Sequence, residues 1–504
     1  MRLAKIKSHF INWREWELNP IVVKELRQAV RSWAVTGMLL LFLGVLFITS
    51  LVFLVTQTFE TTVNEQLGGI IFQAFVVILA GASILFVPLY VGIRVAAERQ
   101  ESNSDLLYIS TLTPGRIIRG KFFCGAYMAA LFFSACMPFM AFTNLLRGVD
   151  LPSVFFILFF LFLAVCAVNQ LAIFLACLPM SRPFKVLLAL YGFFQSFWII
   201  VPLVLASIAL MRSGVGAMMT GRNFWITVST VGSIGLALVG LFYFLSVALI
   251  SPPSANRALP VRIYITIVWV LGGLLSFGWV WQGKHAELML PWAFLTFALM
   301  IFSLLVTISN SDHISPRVRR TIPEKGARRI VAFIFFNGAA GGLVWVTIIS
   351  AMTFFVTTEI LSLGAAWFPR TIVTGDEFQF STFYSATMTY IFDYALTALF
   401  IQRKFLPKRA PKIAGLLAVL LASFWAIAPS IVLFFLNQLS WKSVEGLQLG
   451  NIFNVYSMRD TSQRYYHLIF AGVWLVLMIA LNAKWFLRQI KNFKPCPSAP
   501  PVLE

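Results

Sequence analysis

Twelve stretches with no charge, or almost none, each long enough to cross a lipid bilayer, decide what this chain can fold into. They cover residues 33–55, 69–93, 122–146, 151–181, 186–211, 223–256, 263–283, 288–311, 330–358, 378–402, 413–441 and 465–483. A hydrocarbon core of roughly 30 Å takes about 20 apolar residues of helix, and every backbone polar group inside it must be paired within the protein. One carboxylate, Asp393, falls inside these windows, in 378–402. The fold class expected is therefore all-α: a polytopic transmembrane helical bundle of about twelve spans.

Charge sets the orientation. With the N-terminus placed in the cytoplasm, the 39 Lys and Arg residues divide into 31 on inside segments and 8 on outside loops. The acidic residues divide 9 and 9, with Asp393 in the membrane, so the formal +20 resolves into +22 inside, −1 outside and −1 in the bilayer. This is the positive-inside pattern for a chain with both termini cytoplasmic. Orientation also accounts for the sequence pI of about 10.1. Membrane lipid is the partner that this charge predicts, and nucleic acid is not.

No stretch outside the windows is long enough to bury a core of its own, so the length of 504 residues does not imply several soluble domains. Cys124, Cys136, Cys166 and Cys177 lie in or beside spans and Cys496 in a Pro-rich tail, with no CxxC pair, and they read as small packing residues. The first 32 residues are basic and aromatic without a cleavable apolar signal, so the first span is expected to direct insertion.

Enzyme chemistry finds little support. His9, His285, His313 and His467 are scattered without metal-ligand spacing, and there is no GxSxG or DxD. No catalytic residue, metal site or bound cofactor is expected. Gly115-Arg116-Ile117-Ile118-Arg119-Gly120-Lys121 has the spacing of a phosphate-binding loop, but Phe122 stands where a Ser or Thr hydroxyl would hold Mg²⁺.

The loop 94–121 is more informative. It opens on Glu98-Arg99-Gln100-Glu101, continues through Asp105-Leu106-Leu107-Tyr108-Ile109, and reaches Thr111-Leu112-Thr113-Pro114, where a new helix can start. Spacing alone suits an interfacial connector on lipid headgroups. The loop also resembles that of ABC-2 type transporter permeases, which follow a pattern close to E-R-x-x-G-T-L-D-L-L-x-x-x-P-L-S-P-x-x-I-x-x-G-K. Glu98, Arg99, Asp105, Leu106, Leu107, Leu112, Thr113, Pro114, Ile117, Gly120 and Lys121 match, whereas Ser102, Asn103 and Ser104 depart from the Gly-Thr-Leu portion. Asn19-Pro20-Ile21-Val22-Val23-Lys24-Glu25-Leu26-Arg27-Gln28, with Arg31-Ser32, is similar to the N-P-I-x-x-K-E-L-R-Q arm of one bacterial branch of that family. A weaker match is Ser251-Pro252-Pro253-Ser254-Ala255-Asn256-Arg257.

The resemblance covers about half the chain and implies an organisation. Residues 1–32 form a cytoplasmic arm with an amphipathic elbow helix, and 33–262 a six-span permease core with its coupling loop at 94–121. Residues 263–487 form a second six-span region of unknown role, without copies of these motifs, and 488–504 a Pro-rich cytoplasmic tail. It further implies an ATPase-coupling set of Lys24, Glu25, Arg27, Glu98, Arg99, Asp105, Leu106, Leu107, Pro114, Gly120 and Lys121. The partners implied are a separate cytoplasmic ABC ATPase, which would carry the ATP and Mg, and a second permease copy or sister chain. The function implied is transport, in the export direction, across the cytoplasmic membrane of a bacterium.

The basic run in 314–329, from Arg317 to Arg329, follows from orientation, with acidic headgroups or a partner as the other reading. Asp393 shares a helical stripe with Thr387, Tyr390, Tyr394 and Thr397. An ionised Asp costs about 3 kcal/mol at the centre of a membrane helix, so it needs a partner, water or a proton. One reading is an acid held by those hydroxyls at a bundle interface. The other is an intramembrane polar site of Asp393, Tyr390 and Tyr394 that couples transport to an ion. A membrane transferase of lipid-linked sugars is a weaker third reading, lacking a DxD. Asn169-Gln170 and Gln195-Ser196 are expected to bond between helices.

Overall fold

The computed structural model describes residues 20–59, 67–100, 113–146, 149–179, 181–213, 221–252, 254–283, 285–312, 314–367, 376–436, 448–457 and 461–495. Among these residues the secondary structure is entirely helical. The chain divides into two compact units, Met1–Pro252 and Pro253–Glu504.

In the first unit, α1 (Pro20–Val30) turns Val22, Glu25 and Ala29 inward, a spacing of three and four that puts them on one face. A break at Ser32 leads to α2 (Trp33–Phe59). Next come α3 (Leu67–Gly81) and α4 (Val87–Gln100), joined through a π turn at Ala82–Phe86. There the Ser83 hydroxyl donates to the Leu79 carbonyl at 2.6 Å, within the widened turn. Helix α5 (Pro114–Leu145) begins with Pro114 in its first turn after an extended Thr113, where the missing N–H costs nothing. Then follow α6 (Leu151–Cys177), α7 (Arg182–Ser213) and α8 (Arg222–Ile250).

The core of this unit is built from Phe42, Phe72, Phe75, Leu79, Phe132 and Met140. Phe42 meets Phe132 edge to face at 5.3 Å between centroids, and Phe75 meets Phe139 at 5.8 Å. Leu40, Phe47 and Leu54 on α2 and Trp198 on α7 are exposed. Such an apolar surface is a liability in water and the normal outer face of a membrane helix. Asn169 and Gln170 reach from α6 to the Phe122 carbonyl and the Ser246 hydroxyl, at 3.4 and 3.5 Å. Among the described residues Gln195 bonds Tyr191 within α7, and the Ser196 side chain lies outside them.

The second unit contains α9 (Ala258–Gly283) and α10 (Leu290–Ile308), the latter entered through a 3₁₀ turn at Ala286–Met289. The short α11 (Pro316–Arg319) is capped by the Ser315 hydroxyl, which accepts from the Val318 amide. Helices α12 (Gly326–Phe335), α13 (Ala339–Trp367), α14 (Asp376–Phe405), α15 (Ile413–Leu436), α16 (Ile452–Ser457) and α17 (Thr461–Asn492) complete it. Helix α14 is central and packs against α10, α13, α15, α16 and α17.

Two features refine the apolar windows. Among the described residues eleven helices are long and apolar enough to cross a membrane. The exception is α14, which carries the window 378–402. It is a 30-residue helix but is rich in Ser, Thr and Tyr. Its polar side chains turn into the protein, for Tyr384, Tyr390, Thr387 and Asp393 are all buried. The window 330–358 is also not continuous. It breaks between Phe335 and Ala339, where Gly338 takes a positive φ of 139° that suits glycine alone. The Arg262 guanidinium of α9 sets the break: it donates to the carbonyls of Ile334 at 2.8 Å, Phe336 at 2.7 Å and Gly338 at 3.3 Å. The Ile334 and Phe336 carbonyls accept where the end of α12 would otherwise leave them orphaned, while the Gly338 carbonyl also accepts the Gly342 amide at the start of α13. Just beyond, a Cβ on Gly342 would collide with Thr307 and with Arg262, so α13 approaches α10 as closely as a small residue permits.

Candidate functional sites

The first site stands where α1 meets the end of α4 and the start of α5. Lys121 is 6% exposed, and its Nζ lies 3.1 Å from Glu25 Oε1 and 2.5 Å from Glu98 Oε2. Glu25 is equally buried and also faces Arg94, with Nε 3.9 Å from Oε2. The Arg94 guanidinium donates to the Gln28 side-chain carbonyl on α1. Lys24 reaches the other oxygen of Glu98 at 3.6 Å, but that pair is exposed and contributes little. A buried ammonium is tolerated only with such partners. Its desolvation is offset here by two carboxylates that come from different helices.

The cavity beside this cluster, lined by Glu25, Tyr90, Arg94 and Lys121 among others, measures about 10 Å³. That volume is about what a single water requires, and the cluster ties α1, α4 and α5 together. It unites Lys24, Glu25, Glu98 and Lys121 of the set implied by resemblance. Arg27 is exposed on the opposite side of α1, Pro114 opens α5 and Gly120 is buried on α5. Arg99 ends α4, with its side chain outside the described residues, and Asp105, Leu106 and Leu107 lie outside them altogether. Arg94 and Gln28 were not anticipated, although Arg94 precedes Glu98 by one helical turn. The run from Gly115 to Lys121 is helical, not a loop, and Lys121 is engaged by carboxylates.

The second site is the polar interior around α14. The Tyr390 hydroxyl stands 2.9 Å from His467 Nδ1 and accepts the Gly450 amide at 3.2 Å, while Tyr394 donates to the Gly450 carbonyl. His467, fully buried, has Nε2 3.0 Å from Asn454 Oδ1. This geometry assigns the proton to Nε2 and lets Nδ1 accept from the tyrosine. Thr397 accepts from the Trp474 indole at 3.2 Å. Asp393 is 0% exposed, and neither of its carboxylate oxygens has a hydrogen-bond partner among the described residues.

The expectation that the stripe hydroxyls hold the acid is therefore corrected. Tyr390, Tyr394 and Thr397 are committed to His467, the 448–454 segment and Trp474, and Thr387 Oγ1 is itself without a partner there. At about 100° per residue, Asp393 is offset by roughly 60° from Tyr390 and 100° from Tyr394, and its side chain is too short to follow theirs. Among the described residues no three His, Cys, Asp or Glu side chains gather as a metal site.

Gly450 organises this polar interior. Its φ is +91°, and an added Cβ would run into the Trp425 ring. Gly450→Ala is expected to destabilise the chain by about 2–4 kcal/mol, from left-handed strain and the displaced indole together. A melting curve of the purified chain in detergent checks it, with Gly37→Ala, where a Cβ meets nothing, as the control.

Comparisons of the chain with known protein families, with characterised proteins and with solved structures return no match.

Proposed function

We propose that this chain is the membrane-spanning permease subunit of an ATP-binding-cassette transporter of the ABC-2 type, exporting its substrate across a bacterial cytoplasmic membrane. In this reading α14 joins the eleven apolar helices as a twelfth span, both termini are cytoplasmic, and a second copy or a sister chain completes the pathway. The ATPase is a separate subunit. The observation that carries the reading is the meeting of two motif segments far apart in sequence. The arm contributes Glu25 and the loop boundaries contribute Glu98 and Lys121, all to one ion cluster. Such a cluster passes a push on the loop 94–121 directly to α1, α4 and α5.

Affinity purification of the tagged chain from its native membrane is expected to recover an ATPase with Walker motifs, while the isolated chain turns over no ATP. Hydrolysis by the clean chain alone overturns the proposal. The carboxylate of Asp393, buried and without a hydrogen-bond partner among the described residues, favours a second reading, an ion-coupled transporter.

A further inference from the structure

The chain from Ile314 to Phe336 is a folded platform and not a slack connector. Val318 of α11 and Ile322 beyond it are buried together with Ala332, Phe336 and Phe493, the last from just past the end of α17. Phe493 meets Phe333 at 5.3 Å and Phe336 at 5.9 Å between ring centroids, both edge to face. The Ser315 hydroxyl that caps α11 also donates to the Ser254 carbonyl at 2.9 Å. Orientation in a bilayer needs only that basic residues lie on one side of it. It gives no reason for a small core that fixes where each of them stands.

The surface of that platform is almost wholly positive. Arg317, Arg319, Arg320, Lys325 and Arg328 are exposed, and among the described residues none of them forms an ion pair. Glu324 is the single acid in 314–329. Asp312, just before, is occupied by the Trp485 indole and by Arg403. On the α17 side, Lys491 and Lys494 flank Phe493 and are also exposed.

Helix α12 joins this charge to an apolar surface. Its Ala332 and Phe333 face the small core, whereas Ile330 and Val331 are 66% and 57% exposed. At about 100° per residue the two pairs point roughly 160° apart, so the outer face of α12 is apolar and uncovered. A helix apolar on opposite sides needs cover on both. Helix α13, long and apolar enough to cross a membrane, begins at Ala339.

We propose that this platform binds anionic phospholipid, with phosphodiester headgroups on the basic residues around α11 and the start of α12, and with Ile330 and Val331 among the acyl chains. Arginine suits such headgroups because its planar fork donates two hydrogen bonds to one phosphate. Basic clusters beside a membrane helix are attracted to anionic leaflets by about 1 kcal/mol per side chain. An acidic protein would match the charge but leave the outer face of α12 to be covered by something else. A lipid covers both with one molecule. Only a bilayer around α13 is required, whatever the chain transports.

The test is hydrogen–deuterium exchange of the full-length chain in nanodiscs of phosphatidylcholine, alone or mixed equally with phosphatidylglycerol. Peptides from 314–335 are expected to exchange about 10-fold more slowly in the anionic discs. High salt should abolish most of the difference. Arg317→Gln with Arg319→Gln and Arg320→Gln should abolish most of it as well, and Lys325→Gln with Arg328→Gln a smaller share. These side chains are exposed, so exchange in pure phosphatidylcholine should stay as in the unmodified chain. Lys404→Gln with Lys408→Gln and Arg409→Gln takes the same charge from another exposed loop and should leave the protection intact. Equal exchange in the two discs overturns the proposal, as does protection that survives the triple change at α11 or falls equally with the control set. Polyglutamate protecting the same peptides more strongly than phosphatidylglycerol, at matched negative charge, overturns it too, by making the platform a protein-docking surface.

Discussion

Lys121→Met is expected to be among the most damaging single changes in the first unit, lowering its stability by about 3–5 kcal/mol. The cause is not loss of a favourable surface pair. Removing the ammonium leaves Glu25, only 6% exposed, facing Glu98 with no cation between them. Arg94, at 3.9 Å, relieves Glu25 only in part. The double change Lys121→Met with Glu25→Gln should recover a large share of the loss, because it removes the stranded charge along with its partner. Thermal melting of the detergent-solubilised single and double variants reads this out. A double variant no more stable than the single one would show that Lys121 acts through packing and not through charge.

Glu98 separates stability from coupling within the same cluster. Its carboxylate is 37% exposed, so Glu98→Ala leaves the buried pair of Lys121 with Glu25 in place and costs far less stability. Under the proposed function it nevertheless cuts the link between the end of α4 and the start of α5.

The membrane helices were legible in the sequence because the bilayer imposes a crude rule, length plus freedom from charge, that α2, α5 and α6 satisfy by themselves. The break at Phe336–Gly338 was not, since it depends on Arg262, which lies more than 70 residues earlier in the chain and bonds carbonyls that carry no side-chain signature. Helix α14 shows the opposite failing of hydropathy. Its Ser, Thr and Tyr content lowers its hydropathy below that of the eleven apolar helices, yet Tyr384, Thr387 and Tyr390 are buried within the bundle. At the first site the charged residues could be named from motif spacing, but their pairing could not, because Glu25 and Lys121 are 96 positions apart. The stripe of α14 was readable as a face. That its hydroxyls serve His467 and Gly450 depends on α17 and the 448–454 segment, which no local period reveals.

Asp393 decides between the two transport readings. Its carboxylate is buried and without a partner among the described residues, so it adds nothing to the bundle that a neutral side chain of similar shape would not. If energy enters through the loop 94–121, Asp393→Asn should leave ATP-driven transport within about 2-fold of the unmodified chain, with stability unchanged or raised by about 1–3 kcal/mol as the uncompensated acid is removed. In the same assay, Glu98→Ala combined with Asp105→Ala should abolish transport while the partner ATPase continues to hydrolyse ATP and the chain stays in the membrane. The two experiments are informative as a pair because the sites lie in different compact units and belong to different energy sources. An ion-coupled transporter inverts both results: transport fails on loss of Asp393 at normal expression, and the loop changes do nothing. That inversion would make the unpaired acid the working residue of the chain and leave the Glu25–Lys121–Glu98 cluster as a brace.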